Sequence, residues 1–152
     1  WFEKHKVTKE ELEKQAKHKF DYEPVISIVV PTYNTPIKYL REMIDSVVNQ
    51  SYPHWQLCIA DGSGGNKALE KTLKEYADKD KRVKYQILES NRGIAGNTNA
   101  ALDMADGDVL GLLDHDDTLE PDALYEVVKC FQDREASVLE WEEKAIIAAL
   151  HQ

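Results

Sequence analysis

Immediately after Pro24 the chain reads Val25-Ile26-Ser27-Ile28-Val29-Val30, a run in which apolar and mostly β-branched residues occupy both alternating faces. A strand with one face in water alternates apolar and polar residues, so this run indicates a strand that is buried on both faces. Strands of that kind occur almost only in parallel sheets that carry helices on each side. The run therefore favours a parallel sheet within an α/β fold.

Strand and helix patterns alternate from this point onward. Further strands are predicted at Trp55–Ala60, Val83–Leu88 and Val109–Leu113, with a helical pattern after each strand. The first helix is expected to have Thr35 as its N-cap and Pro36 at its first position. Strands alternating with helices of about 12 residues are typical of βαβ units. We therefore expect a doubly wound, mainly parallel sheet flanked by helices.

The length and composition suit one globular domain with two additions. The chain has 152 residues, of which 42% are hydrophobic, enough to form one core. We expect a polar helical appendage over 1–23, the main domain over 24–133, and a helical tail over 134–152 that belongs to the same globule. Because the chain begins with Trp1, we interpret it as a piece of a longer protein.

Both additions are predicted to be helical for local reasons. Thr8 and Glu11 have the spacing of a capping box, which predicts a helix over about 9–19. The tail is rich in Glu, Ala, Leu and Lys without a helix breaker, which predicts a helix over about 135–150. The tail helix has a wide apolar face, so it either folds back on the sheet or pairs with another copy of the chain. Self-association through the tail is the expected consequence.

Charge and cysteine content narrow the choice of partners and compartment. Lys and Arg number 19 against 28 Asp and Glu, which gives a formal net charge of −9. A domain this acidic repels phosphate backbones, so no nucleic-acid partner is expected. Two cysteines, Cys58 and Cys130, form no disulfide framework or zinc motif and are typical of a reducing compartment. We expect a cytoplasmic location, with the parent protein able to hold the domain at the inner face of a membrane. No apolar run reaches the ~20 residues of a membrane span.

The strongest chemical signal is the sequence Asp-His-Asp-Asp at Asp114–Asp117, directly after the predicted strand Val109–Leu113. Ligands of parallel sheets bind beyond the carboxyl ends of the strands. Three carboxylates this close repel one another unless a cation neutralises them, and Mg²⁺ or Mn²⁺ prefers oxygen ligands. The alternative is a solvated acidic turn before the helix at Pro121. The position directly after a buried strand favours the metal, and such oxygen-rich sites rarely need an imidazole such as that of His115.

Two weaker signals follow other strands at the same edge. Asp61–Gly65 forms a glycine-rich loop, in which Asp61 could accept a hydrogen bond from a ribose hydroxyl or a base N–H. An ordinary strand-to-helix turn is the alternative. Arg92 lies near the start of a predicted helix, where it either meets an anionic or heteroaromatic ligand or is a surface arginine. Asn97 and Asn99 are poor helix formers, which indicates a polar ligand or buried hydrogen bonds.

Taken together, four loop motifs resemble the family 2 inverting glycosyltransferases, which have the GT-A fold. The motifs occur in that family's order and spacing: Pro31-Thr32-Tyr33-Asn34, Ala60-Asp61-Gly62-Ser63, Asn91-Arg92-Gly93 and Leu112-Leu113-Asp114-His115-Asp116-Asp117. The resemblance extends from about Val25 to Phe131, roughly 107 of the 152 residues. It implies a GT-A-like sheet whose first, Rossmann-like half binds a nucleotide sugar.

The resemblance also implies a role for individual residues. Asp61 would hydrogen-bond the base, with uracil preferred, and Arg92 would lie beside the base or the diphosphate. The family often has two acidic residues before Gly-Ser, but Ala60 stands at the first position here, so Asp61 is the one carboxylate of that loop. Six residues would contact the donor, the first three of them through their backbone: Pro31, Thr32, Tyr33, Asp61, Arg92 and Asp114.

Asp114-x-Asp116 resembles the family's DxD motif, which holds a divalent metal against the diphosphate of the donor. The implied metal ligands are Asp116 and Asp114, and the implied metal is Mn²⁺ or Mg²⁺. The implied activity is metal-dependent transfer of a sugar from a UDP-linked donor to a hydroxyl group of a glycan acceptor with inversion. Polysaccharide biosynthesis is the expected setting.

One required part of that activity is not visible in the sequence. Inverting transfer needs a general base, which in this family is usually an Asp after the DxD strand. After the last predicted helix this chain has only Gln132 to Gln152, in which Glu142 and Glu143 are the candidate acids. We therefore interpret the chain as an N-terminal fragment whose general base is not identified.

Two other functions remain as alternatives. The fragment could bind a nucleotide sugar without catalysing any reaction, because the base and the acceptor site are not visible. A metal-dependent nucleotidyltransferase also uses acidic residues at strand ends, but it usually carries a glycine-rich, basic loop after the first strand. Pro31–Asn34 contains neither Gly nor Lys or Arg, which disfavours that alternative.

Overall fold

The structure is a computed structural model that describes residues 7–133 and 146–148. Five strands occur within these residues: β1 (Ile26–Thr32), β2 (Trp55–Asp61), β3 (Val83–Ile87), β4 (Val109–Leu112) and β5 (Ile146–Ala148). Five helices occur with them: α1 (Lys9–Lys17), α2 (Ile37–Val48), α3 (Lys67–Lys79), α4 (Gly93–Asp103) and α5 (Ala123–Asp133). None of these helices has both the length and the hydropathy that a membrane span requires.

The strands form one sheet in the order β3-β2-β1-β4-β5, and every neighbouring pair is parallel. The order reverses at β1, because β2 and β3 extend the sheet to one side and β4 and β5 extend it to the other. Such a reversal opens a crevice at the carboxyl edge, where parallel sheets bind their ligands. The predicted doubly wound, parallel sheet is confirmed.

The two faces of the sheet are covered unequally. One face carries the larger core, in which Ile28 and Leu57 of the sheet pack with Ile44 of α2, Leu73 of α3 and Leu124 of α5. All five side chains are almost completely buried, and burial of each stabilises the fold by about 1.5–3 kcal/mol. The opposite face carries a smaller core, made mainly of short side chains, between the sheet and α4: Val29, Cys58, Ala60, Leu88, Ala100 and Ala101.

Helix α1 lies on the surface and contributes no buried residue. The capping box predicted at its start is present, since the Thr8 hydroxyl accepts from the Glu11 amide and the Glu11 carboxylate accepts from the Thr8 amide. The Ser51 hydroxyl donates to Gln15 Oε1 at 2.7 Å, and the Phe20 ring packs against Tyr125. The predicted helix is confirmed, two residues shorter than expected, whereas the division of the chain into three parts stays a prediction.

We expect Thr8→Ala to loosen α1 without affecting the sheet. Losing an N-cap side chain costs about 0.5–2 kcal/mol, and the cost should stay local because α1 buries no residue. Amide hydrogen exchange should be several-fold faster in α1 and unchanged in β1. Thr118→Ala, at an exposed threonine in the loop before α5, serves as the control. Equal α1 exchange in Thr8→Ala and in the wild type would contradict the capping role.

The prediction that Thr35 caps α2 is wrong. The N-cap position is occupied by Pro36, and no side chain caps the helix there. The Thr35 hydroxyl instead lies 2.6 Å from Nδ1 of His115, a residue 80 positions away in the chain. The Thr35 hydroxyl makes this tertiary contact and not the local hydrogen bond to the start of α2 that the sequence pattern predicts.

The tail helix predicted over 135–150 also needs correction where it can be compared. The structure describes only 146–148 of this segment, and these residues form β5, with Ile146 paired to Leu110 of β4. The β-branched Ile146 and Ile147 favour a strand, and pairing with β4 overrides the local helix propensity at these positions. The rest of 134–152 lies outside the described residues.

Candidate functional site

The predicted site residues converge on one edge of the sheet. Thr32 at the end of β1 pairs in register with Asp61 at the end of β2. Val29 of β1 pairs with Leu112 of β4, so Asp114 follows β4 at the same edge. The loops after these three strands therefore meet where the strand order reverses.

Asp61 has two carboxylate oxygens in different situations. Its side chain is completely buried, with an exposed fraction of 0%. Oδ1 accepts from the Thr32 hydroxyl at 2.9 Å and from the Ser63 hydroxyl at 2.5 Å. Oδ2 is buried, and no donor among the described residues hydrogen-bonds to it. An unsatisfied buried acceptor costs about 1–3 kcal/mol, so a ligand that donates a hydrogen bond there would recover this free energy.

Part of this arrangement is not predicted from the sequence. The motif pattern assigns Thr32 to ligand binding through its backbone, whereas its hydroxyl holds Asp61 in the structure. Ser63 is not among the predicted site residues, yet its hydroxyl and its amide both donate to Asp61 Oδ1. The two-residue spacing from Asp to Ser is a turn signal that could have indicated this contact.

Arg92 lies in a loop that is fixed against the loop after Asp61. Asn97 is buried, its Oδ1 accepts from the Arg92 amide at 3.1 Å, and its Nδ2 donates to Asn91 Oδ1 at 2.9 Å. A Cβ atom at Gly62 would lie 2.7 Å from Asn97 Nδ2, so a larger residue there would push the Asn97 amide out of these hydrogen bonds. The buried hydrogen bonds that Asn97 predicts are present, and the Arg92 side chain is exposed.

The acidic turn after β4 is largely exposed to water. Asp114 and Asp116 are exposed, while His115 and Asp117 are half-buried. The Asp117 amide donates to the Asp114 carbonyl oxygen at 3.1 Å and closes the turn. Within residues 7–133, no three or more His, Cys, Asp or Glu side chains are grouped so that they could hold a metal ion. Exposure to water screens the repulsion that, on the sequence pattern alone, a cation is expected to remove.

Asp114 and Asp116 still offer the type of ligand that Mg²⁺ and Mn²⁺ prefer. Both present exposed carboxylate oxygens at the carboxyl edge of the sheet. Mg²⁺ in proteins commonly keeps several water molecules and binds through one or two carboxylates together with substrate phosphates. The two aspartates therefore fit a metal that shares its coordination with a diphosphate, and they do not fit a metal held by protein ligands alone.

A cavity of about 280 Å³ lies beside the acidic turn, between the ends of β1 and β4 and the start of α4. Pro31 and Asp114, two of the predicted donor-binding residues, both line it. Its other walls are largely apolar and include Leu112 and Ile94, whose exposed fractions are 40% and 81%. Tyr33, also predicted to bind the donor, is 52% exposed in the loop after β1. Pro31 and Asp114 thus line the same cavity, whereas the Thr32 hydroxyl is hydrogen-bonded to Asp61.

Comparison with known proteins identifies the family of the chain and its fold. The chain matches the model of the family described as glycosyl transferase family 2 over residues 27–141. The protein y4gI of Sinorhizobium fredii is 44% identical over 106 residues, which cover 70% of this chain and 12% of the relative. TuaG of Bacillus subtilis, whose name assigns it to teichuronic acid biosynthesis, is 32% identical over 114 residues, which cover 75% of this chain and 44% of the relative.

The chondroitin synthase of Pasteurella multocida is 37% identical over 108 residues, covering 71% of this chain and 11% of the relative. The chain therefore spans less than half the length of each of these curated relatives.

Solved structures give the same result for the fold. S. aureus TarS 1–349 in complex with UDP has a TM-score of 0.66 and 26% sequence identity, and the match covers 73% of this chain and 33% of the TarS 1–349 chain. The same protein in complex with UDP-GlcNAc has a TM-score of 0.65, and the match covers 73% of this chain and 32% of the TarS 1–349 chain. The similarity confirms the predicted GT-A-like fold. On the family match and these relatives together, the chain belongs to glycosyl transferase family 2.

Proposed function

We propose that this chain is the nucleotide-sugar-binding part of a glycosyltransferase of polysaccharide biosynthesis. The intact protein would move a sugar from a UDP-linked donor to a hydroxyl group of a glycan acceptor, with inversion at the sugar carbon. The observation that carries the proposal is the buried, unpaired Oδ2 of Asp61 at the ligand-binding edge of the sheet. Family membership supports the reaction class, and the UDP and UDP-GlcNAc complexes of TarS support the choice of nucleotide.

Asp61 selects the base in this proposal. Uracil carries an N–H at position 3 that can donate to a carboxylate, whereas cytosine has only an acceptor there. Because Oδ2 is covered in the structure, uracil reaches it after a local shift next to the loop that follows Asp61. Gly64 and Gly65 in that loop have φ angles of 66° and 98°, a backbone region that favours glycine. Base binding is therefore expected to change the environment of this loop.

The diphosphate end of the donor would lie near the acidic turn. Asp114 and Asp116 would hold Mn²⁺ or Mg²⁺ against the phosphates, and the exposed Arg92 guanidinium would lie beside the base or the diphosphate. When bound, such a metal stabilises the negative charge that develops on a leaving diphosphate. The residues of this chain contribute binding and orientation: Asp61 fixes the base, and the acidic turn fixes the phosphates.

A calorimetric titration with UDP, CDP, GDP and ADP, each with and without Mn²⁺, tests the proposal. UDP is expected to bind most tightly, and Mn²⁺ is expected to strengthen its binding. Mn²⁺ alone should bind weakly, because no group of three protein ligands is present within residues 7–133. Equal affinity for all four nucleotides would contradict the proposed role of Asp61, and UDP binding that is indifferent to Mn²⁺ would contradict the proposed metal site.

We expect this chain to bind the donor without transferring its sugar. Inverting transfer needs a base that deprotonates the acceptor hydroxyl, and no residue among 7–133 is assigned that role. Glu142 and Glu143, the candidate acids of the tail, lie outside the described residues. Incubation with UDP-sugars and simple glycan acceptors should therefore release no UDP above background. Robust turnover would show that a base is present in this chain.

Self-association through 134–152 is a separate proposal. It rests on the number of apolar residues in this segment, of which 146–148 form β5 and not a helical face, and on the exposed Ile94 and Leu112 beside β4. Light scattering should give the mass of an oligomer for the full chain and the mass of a monomer for a chain that ends at Asp133. A monomer in both cases would contradict it.

A further inference from the structure

Two adjacent residues of the loop after β1, Asn34 and Thr35, hydrogen-bond to the loop that follows Asp61 and to the acidic turn respectively. The Ser63 hydroxyl donates to Asp61 Oδ1 at 2.5 Å and accepts from the Asn34 amide at 2.7 Å. The next residue, Thr35, has its hydroxyl 2.6 Å from His115 Nδ1. The loop after β1 is therefore hydrogen-bonded on one side to the loop after β2, which contains Ser63, and on the other side to the acidic turn.

We propose that Thr35 and His115 are positioning residues that set the separation between the base-binding and diphosphate-binding ends of the site. This inference rests on the proposed function. Neither side chain is assigned a contact with the nucleotide. Their hydrogen bond fixes the acidic turn, and therefore Asp114 and Asp116, relative to the loop that holds Asp61.

The environment of the bond suits such a role. Thr35 has an exposed fraction of 2%, so its hydroxyl is shielded from the water that would compete for the imidazole. Asn34 beside it has a φ of 48°, a left-handed conformation in which Asn is enriched. This conformation lets successive residues bond in different directions, with the Asn34 amide on Ser63 and the Thr35 hydroxyl on His115.

The rest of the segment after β4 is anchored farther along the chain. The Leu119 amide donates to the Ser46 hydroxyl at 3.1 Å, and the Leu124 amide donates to Gln50 Oε1 at 3.0 Å. Both acceptors belong to α2 or follow its end, so α2 holds the segment that leads into α5. Thr35 precedes α2 and His115 lies in the turn itself, so their bond extends this anchoring to the acidic residues.

The role predicts different effects on a ligand that occupies one end of the site and on a ligand that occupies both. Uridine reaches the Asp61 end alone, whereas UDP with Mn²⁺ needs the two ends at a fixed separation. Thr35→Val removes the hydroxyl at nearly constant volume. It should weaken UDP binding about three- to tenfold, the size expected for one hydrogen bond, and leave uridine binding unchanged.

Calorimetric titrations with uridine and with UDP plus Mn²⁺ can measure both affinities. Thr35→Ser should restore UDP affinity, and His115→Ala should reproduce the loss from the more exposed side of the bond. In the double variant the two losses should not add, because each alone breaks the same bond. Thr72→Val is the matched control, since Thr72 is a buried threonine of α3 whose hydroxyl donates to the Ala68 carbonyl oxygen.

The outcomes separate this inference from the proposed function. Wild-type protein that binds UDP, with Thr35→Val and His115→Ala equal to it, overturns the positioning role alone. Equal loss of uridine and UDP binding in these variants also overturns it, because that pattern indicates general damage to the site. Wild-type protein that binds neither ligand contradicts the proposed function and the inference that rests on it.

Discussion

Asp61→Asn is expected to weaken UDP binding by about 1–3 kcal/mol, roughly 5- to 150-fold. The amide keeps one oxygen that can accept from Thr32 and Ser63, as Asp61 Oδ1 does now. In place of the unpaired Oδ2 it puts an NH₂ group, which faces the N3–H of uracil donor to donor. The same NH₂ group can donate to N3 of cytosine, so CDP should gain affinity relative to UDP.

Calorimetry with UDP and CDP measures both changes in one series. Asp78→Asn makes the same change of charge at an exposed residue of α3 that pairs with Lys74, and it should leave both affinities unchanged. Thermal unfolding of each variant shows whether the substitution itself destabilises the fold. Wild-type UDP affinity in Asp61→Asn would exclude a direct contact between this carboxylate and the base.

Asp116→Ala is expected to abolish the enhancement of UDP binding by Mn²⁺. Asp116 is exposed, and the described residues include no group of three or more His, Cys, Asp or Glu side chains that could hold the metal without it. With Asp114 as the single remaining proposed ligand, the protein cannot hold the ion against the diphosphate in the proposed way. The UDP affinity that remains in metal-free buffer should be similar in the variant and in the wild type.

The control removes a carboxylate elsewhere. Asp78→Ala lowers the negative charge of the chain by the same amount, so it reports any general effect of charge on the approach of Mn²⁺ and UDP. Adding a chelator to the wild type should reproduce the behaviour of Asp116→Ala. If Mn²⁺ strengthens UDP binding in Asp116→Ala as strongly as in the wild type, the metal lies elsewhere.

Much of the fold can be predicted from the sequence because the central strands β1 and β2 are buried on both faces. The run that contains Ile28, Val29 and Val30 has no polar face, so its residue pattern alone indicates a central parallel strand. The loops that follow such strands lie at one edge by topology, which is why Asp61 and Asp114 can be placed in one site from their positions in the chain.

The remaining details depend on contacts between residues that are distant in the chain. Thr35 followed by Pro36 is a sound local signal for a helix start, but the hydroxyl contacts His115 from the other side of the site. The separate roles of the two Asp61 oxygens depend on Thr32 at the end of β1 and on Ser63 in the loop after β2. In the tail, Ile146–Ala148 pairs with β4, a partner that a local helical pattern does not reveal.

A crystal structure of this chain with UDP and Mn²⁺ tests the proposed donor site most directly. We expect uracil N3 within hydrogen-bond distance of Asp61 Oδ2, with Mn²⁺ between the diphosphate and the carboxylate of Asp116. We also expect a shift of the residues that now cover Asp61 Oδ2. UDP bound away from the carboxyl edge of β1 and β2, or a metal that does not contact Asp114 or Asp116, would contradict the proposed site.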